Sequence, residues 1–215
     1  MTIKWILLII AAVIFIVGAI WYAIDMKKTA QEEQDDFYNA NYLKEKNNEI
    51  TQENIREFSD AVVFGDFEKV KKMVKDNFEI INSQDKYGFS ALHNVMSEEQ
   101  FKIVEYLIKN GANVNIQNSE GISPLHLAGW PENAELLLNA GAEVDIIDHQ
   151  GNTPLHIIAE EVDEELGVLV IEYLISKNAN KDLKNNAGKT PLNIAIEAGN
   201  EEIIDYLNNL KPARK

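Results

Sequence analysis

Asp148-His149-Gln150-Gly151-Asn152-Thr153-Pro154-Leu155-His156-Ile157-Ile158-Ala159 decides the fold, because the chain writes it three more times in altered form. The other copies are Gly121-Ile122-Ser123-Pro124-Leu125-His126-Leu127-Ala128, Gly88-Phe89-Ser90-Ala91-Leu92-His93 and Gly188-Lys189-Thr190-Pro191-Leu192-Asn193-Ile194-Ala195. Gly88, Gly121, Gly151 and Gly188 lie 33, 30 and 37 residues apart. Each position has a mechanical reason. Glycine supplies a turn with positive φ, where a side chain would clash. Thr or Ser caps a helix through its hydroxyl, and Pro occupies the first helical position, where no amide proton is needed. The Leu after the Pro enters the core.

Each unit has a second half. Phe101-Lys102-Ile103-Val104-Glu105-Tyr106-Leu107-Ile108-Lys109-Asn110-Gly111 spaces apolar residues as a helix does and ends on a glycine stop. Residues 134–145 and 170–180 repeat it, the latter with Asn178 where the others have Gly. Asn is the next best residue for a left-handed helix end. A period near 33 residues carrying Thr-Pro-Leu-His resembles the ankyrin repeat, one turn plus two helices per unit. That resemblance implies an all-α solenoid of about five helix-turn-helix units. It also implies that His93, His126 and His156 hydrogen-bond to the adjoining repeat, which removes them as catalytic candidates.

The resemblance spans roughly residues 54–210. Residues 54–85 have the outline of a unit without its signature and are read as the N-terminal capping repeat, since a terminal unit lacks a neighbour on one side. Four further repeats fill 86–211, and 212–215 form a basic tail. Ahead of the array, residues 5–24 run without a charge, long enough as a helix to cross a bilayer core of about 30 Å. Trp5, Trp21 and Tyr22 stand where interfacial aromatics are expected. Residues 1–25 are therefore read as a single transmembrane signal anchor. A cleavable signal ending near Val17-Gly18-Ala19 is the competing reading, and the apolar run is long for one. Residues 26–53 are a polar juxtamembrane spacer. Lys4 against Lys27 and Lys28 nearly balances the positive-inside count. The expectation adopted is a single-pass protein of a bacterial inner membrane with its repeats extracytoplasmic.

Composition narrows the function. The 215 residues include no cysteine and carry a formal net charge of −15. Such acidity disfavours nucleic acid, whose binding rests on Lys and Arg releasing counterions. No nucleophile and base form a recognisable constellation, no Gly-rich loop precedes a helix to hold phosphate, and no His pair has metal-ligand spacing. No enzyme activity, cofactor, metal or small-molecule substrate is expected.

The family holds other proteins on a concave surface of turn tips and inner helices. The candidate partner-binding residues on that surface are Tyr87, Phe89, Glu98, Glu120, Ile122, Trp130, His149, Gln150, Asn152, Glu160, Glu161 and Lys189. Exposed aromatics are common interface anchors, which puts Tyr87, Phe89 and Trp130 first. Departures from the repeat add a step. Gly129-Trp130-Pro131-Glu132 shortens one interhelical connection, so the inner helix before it must end early. Residues 160–167 lengthen the next by about four and place an acidic protrusion beside it. The expected function is a membrane-anchored module whose acidic face captures a basic protein, similar to an immunity protein that inhibits an antibacterial toxin. The alternative is a scaffold or adaptor organising a membrane protein complex.

Overall fold

A computed structural model of the chain describes residues 49–94, 100–160 and 164–209, together with Lys28. The chain divides between Glu49 and Ile50, and the unit from Ile50 onward holds the repeats. The transmembrane reading of residues 1–25, nearly all of the spacer and the basic tail 212–215 lie outside the described residues. Among those described, no helix is long and apolar enough to cross a membrane.

The described residues contain helices and no strand. The capping unit pairs α1 (Gln52–Val63) with α2 (Phe67–Asp76). α1 starts earlier than its sequence outline suggests. Thr51 is its N-cap, with the Asn54 amide donating to Thr51 Oγ1 at 3.2 Å and the Thr51 amide to Asn54 Oδ1 at 3.0 Å. The boundary of the capping unit therefore moves from 54 to Thr51. A capping box with Asn instead of the usual Glu or Gln conceals that start from the eye.

Later units run in the order turn, inner helix, outer helix. The inner helices are short: 3₁₀ turns at Ala91–Asn94 and Pro124–Leu127, then α5 (Pro154–Ile158) and α7 (Pro191–Ala198). The outer helices are α3 (Phe101–Lys109), α4 (Pro131–Asn139), α6 (Glu164–Ser176) and α8 (Glu201–Asn209). Outer helices stop where the chain turns left-handed, at Gly111 (φ 83°), Gly141 (φ 94°) and Asn178 (φ 68°). Asn178 thus takes the glycine's place, as its short polar side chain allows.

Both expected irregularities in length are present, one in a different form. The inner helix of 119–148 is four residues long, and Pro131 starts the outer helix directly after Trp130. The extra residues of the next unit do not all form a loop. α6 has thirteen residues against nine in α3, α4 and α8, so the lengthening appears as one added helical turn.

One continuous core runs between the layers, through Phe58, Val70, Leu92, Leu107, Leu125, Leu137, Leu155, Leu174, Ala195 and Leu207, all buried. Each unit packs mainly on its neighbours, so burial of one unit's Leu depends on the presence of the next.

Candidate functional site

The exposed edge of the stack is built from its turns. Each turn opens on an Asp or Asn whose Oδ1 accepts two amides: Asp85 from Tyr87 and Phe89 (2.8 and 2.8 Å), Asn118 from Glu120 and Ile122 (2.9 and 2.9 Å). Asp148 does the same for Gln150 and Asn152 (2.8 and 2.7 Å), and Asn185 for Ala187 and Lys189 (3.0 and 3.0 Å). Successive turns then join through one backbone hydrogen bond apiece. Ser119 N–H donates to the Tyr87 carbonyl at 3.0 Å, His149 N–H to Glu120 at 2.9 Å and Asn186 N–H to Gln150 at 2.9 Å. The approach is close enough that a Cβ on Gly121 would stand 2.7 Å from the His149 nitrogen. Tyr87, Glu120 and Gln150 are therefore adjacent teeth of one row, fixed before any partner arrives.

The histidines lock the row from beneath. The Ser90, Ser123 and Thr153 amides donate to Nδ1 of His93, His126 and His156 at 3.0, 3.1 and 3.1 Å. A ring nitrogen that accepts an amide proton carries none, so the proton is on Nε2. Nε2–H then donates across to the next unit, at 3.0 Å in each case, to the carbonyls of Ile122, Asn152 and Lys189. The hydroxyls of Ser90, Ser123 and Thr153 meet the same Nδ1 atoms at 2.8–2.9 Å. In these three units the cap is thus centred on the imidazole. Burial pushes all three imidazole pKa values below the ordinary range, opposed by the carbonyls they face. With both nitrogens committed, these rings have no proton or lone pair left for chemistry. No group of three or more His, Asp or Glu among the described residues could hold a metal ion.

The candidate residues separate on this frame. Tyr87 is 58% exposed, with the Lys86 ammonium 4.7 Å from its ring centroid. Glu120, His149, Gln150 and Glu160 are exposed, whereas Phe89, Ile122, Trp130 and Lys189 are half-buried. Phe89 sets its ring edge against His93, with centroids 5.5 Å apart, and Lys189 pairs with Glu197. Trp130 sits in extended backbone at the start of α4, an inner-helix length from the turns. Glu98 and Glu161 lie outside the described residues.

Asn152 requires a correction: it is buried, its amide donates to Asp148 Oδ2 at 3.0 Å, and its Oδ1 accepts from Asn185 at 2.8 Å. It ties two turns together, with both ends of its side-chain amide engaged inside the stack. Ile147, which sequence reasoning misses, is 56% exposed. It stands where earlier units have Gln84 and Gln117, whose amides donate to the Gln117 and Ile147 carbonyls. An apolar residue where two units carry Gln was the available signal.

Fold and edge together define a helical-repeat protein, a stack of helix pairs that offers a row of side chains along its turns. Sequence comparison gives the particular kind. The profile described as Ankyrin repeats (3 copies) matches residues 58–148 and 129–214, and the chain belongs to the ankyrin-repeat family. It is similar to alpha-latrocrustotoxin-Lt1a of Latrodectus tredecimguttatus, 34% identical over 76 residues, covering 35% of this chain and 5% of the toxin. It is also similar to the RelA-associated inhibitor of Mus musculus, 38% identical over 69 residues, covering 32% of this chain and 8% of that one. A third relative, the Notch-regulated ankyrin repeat-containing protein A of Danio rerio, is 32% identical over 78 residues, covering 35% of this chain and 70% of its own length. The chain spans only a small part of most of these relatives.

Proposed function

We propose that this chain is a protein-binding module, held at a bacterial inner membrane by residues 1–25, that captures a basic partner on its turn row and neutralises it. An ankyrin stack is a protein-protein interaction fold. Two relatives are named RelA-associated inhibitor and Protein phosphatase 1 regulatory subunit 27, and both names denote control of another protein. The observation that carries the reading is the pre-set row itself: exposed Tyr87, Glu120 and Gln150 on turns already bonded to one another. A surface that loses little freedom on docking retains more of its contact energy. Carboxylates at Glu120 and Glu160 favour a positively charged partner and speed its encounter. An immunity protein inhibiting an antibacterial toxin is the form of capture that fits a small tethered array.

The test is affinity capture from membranes with the full chain and with Tyr87→Ala and Glu120→Lys. Binding to a basic partner should weaken at least about tenfold in each variant, an effect of roughly 1.4 kcal/mol, with melting temperature unchanged. Deletion of the chain should sensitise cells to the captured protein. Recovery of an intact membrane assembly, with no change in sensitivity, would make the protein a scaffold. Recovery of acidic partners alone would end the reading.

A further inference from the structure

The outer helices sort charge along the stack. α2 carries Lys69, Lys71, Lys72 and Lys75 against Glu68 and Asp76, and α3 carries Lys102 and Lys109 against Glu105. α4 then has Glu132 and Glu135, α6 has Glu164, Glu165 and Glu172, and α8 has Glu201, Glu202 and Asp205, none of the three with a basic residue. Among the outer helices described, basic residues thus fall within α2 and α3 alone, while Lys177, Lys181, Lys184 and Lys189 lie in the segment between α6 and α7. On α2, Lys69 pairs with Glu57 at 2.9 Å and Lys71 with Glu68 at 2.7 Å, while exposed Lys72 and Lys75 meet no carboxylate among the described residues. The acidic inner helix of the same unit is partly neutralised, since Glu57 faces Lys69 and Asp60 faces Arg56.

A second observation falls on the same helix. Phe64, just before α2, is 82% exposed, and Phe78, just after it, is 59% exposed. Val70 and Val74 turn the other side of α2 into the core, so Lys72 and Lys75 lie on the outward stripe between the two aromatics. Exposed phenylalanines beside unpaired lysines suit a bilayer interface, where apolar rings enter the boundary with the acyl chains and ammonium groups meet anionic lipid.

We infer that the outer face of the first unit, Phe64 to Phe78 with Lys72 and Lys75, is a contact surface for an anionic bilayer. The charge order then fixes a posture. An array lying flat would press the carboxylates of α4, α6 and α8 onto a negative surface, whereas one standing on its first unit holds them beyond the screening distance of about 8 Å. The row of turns is thereby kept accessible to a partner. This inference rests on the reading that residues 5–24 enter a bilayer, and the experiment separates the two.

Full-length chain is mixed with phosphatidylcholine vesicles and with vesicles containing phosphatidylglycerol, and examined by flotation and by hydrogen exchange. Amides of residues 64–80 should exchange several-fold more slowly on the anionic vesicles than on the neutral ones, while those of 201–209 remain unchanged. Lys72→Glu with Lys75→Glu should abolish the difference without altering flotation from neutral vesicles. Flotation from both vesicle types with equal exchange at 64–80 would overturn the contact surface and leave the anchor standing. Slowed exchange on anionic vesicles, without flotation from neutral ones, would remove the anchor and leave the surface. Protection of the same amides by an acidic polypeptide such as polyglutamate, and not by lipid, would reassign the face to a protein and overturn the proposal.

Discussion

The unit opened by Thr153 and the unit opened by Thr190 carry nearly the same motif and are held in different ways. In the first, Leu155 is fully buried, His156 bridges to the next unit and Gly151 lies against Asn186. In the second, Leu192 is half-buried, Asn193 replaces the histidine and Gly188 has nothing within 4 Å. Asn193 still serves its own helix, accepting the Thr190 amide on Oδ1 at 3.0 Å and donating its own amide to Thr190 Oγ1 at 3.3 Å. What it lacks is a second nitrogen reaching onward, and among the described residues no further unit of the array stands there to be reached. The same Thr-x-x-Asn box opens α1 at the other end of the array. Among the described residues, the three boxes that carry His reach a following unit, and the two that carry Asn only cap their own helices.

That contrast can be broken most forcefully in the core. Leu155→Ala should cost about 2–5 kcal/mol, the usual range for a fully buried Leu, and Leu192→Ala less than half as much. Equal losses in urea unfolding would show that the last unit is as enclosed as the interior.

Glycine sharpens it next. Gly188→Ala should cost only the left-handed backbone strain, roughly 1–2 kcal/mol. Gly121→Ala should cost clearly more, because its methyl group would meet the His149 backbone and separate two turns. Identical melting curves for the two variants would mean that the turns at Gly121 and His149 are not in close contact.

The smallest effect is one of pH. His93, His126 and His156 are held neutral below their ordinary pKa near 6.5, whereas the unfolded chain protonates there. The unfolded state therefore binds more protons as pH falls, and stability present above about 6.5 is lost progressively below it. The melting temperature should drop between pH of about 7.5 and 5.5, a window above most carboxylate titration. In His156→Asn the drop should become smaller, one of the three groups with a lowered pKa having been removed. An unchanged drop in that variant would place the pH response elsewhere.

The contrast between interior and end units also explains what could be read in advance. Turn glycines, prolines at helix starts and the left-handed Asn178 act through their own backbone, so their meaning is local and legible. Asn152 does not act locally. Its burial is completed by Asn185, 33 residues later, and nothing beside it in the chain distinguishes it from exposed Gln150. The lengthening before α6 was legible but its helical form was not, and Ile147 was signalled by an apolar residue where two earlier units carry Gln. Of the candidate site, the turn tips Tyr87, Glu120 and Gln150 were legible because turn chemistry projects them outward. Phe89 and Trp130 were legible as aromatics, but their partial burial was not.

The joints between turns carry a consequence of another kind. Each joint includes one peptide hydrogen bond, one imidazole bridge and side-chain bonds such as Gln84 to the Gln117 carbonyl and Asn185 to Asn152, and the joints succeed one another in series along the stack. A load applied between the two ends has no broad seam to shear at once. The full load passes through every joint in turn, and because each unit contacts only its neighbours the extensions of the joints add along the array.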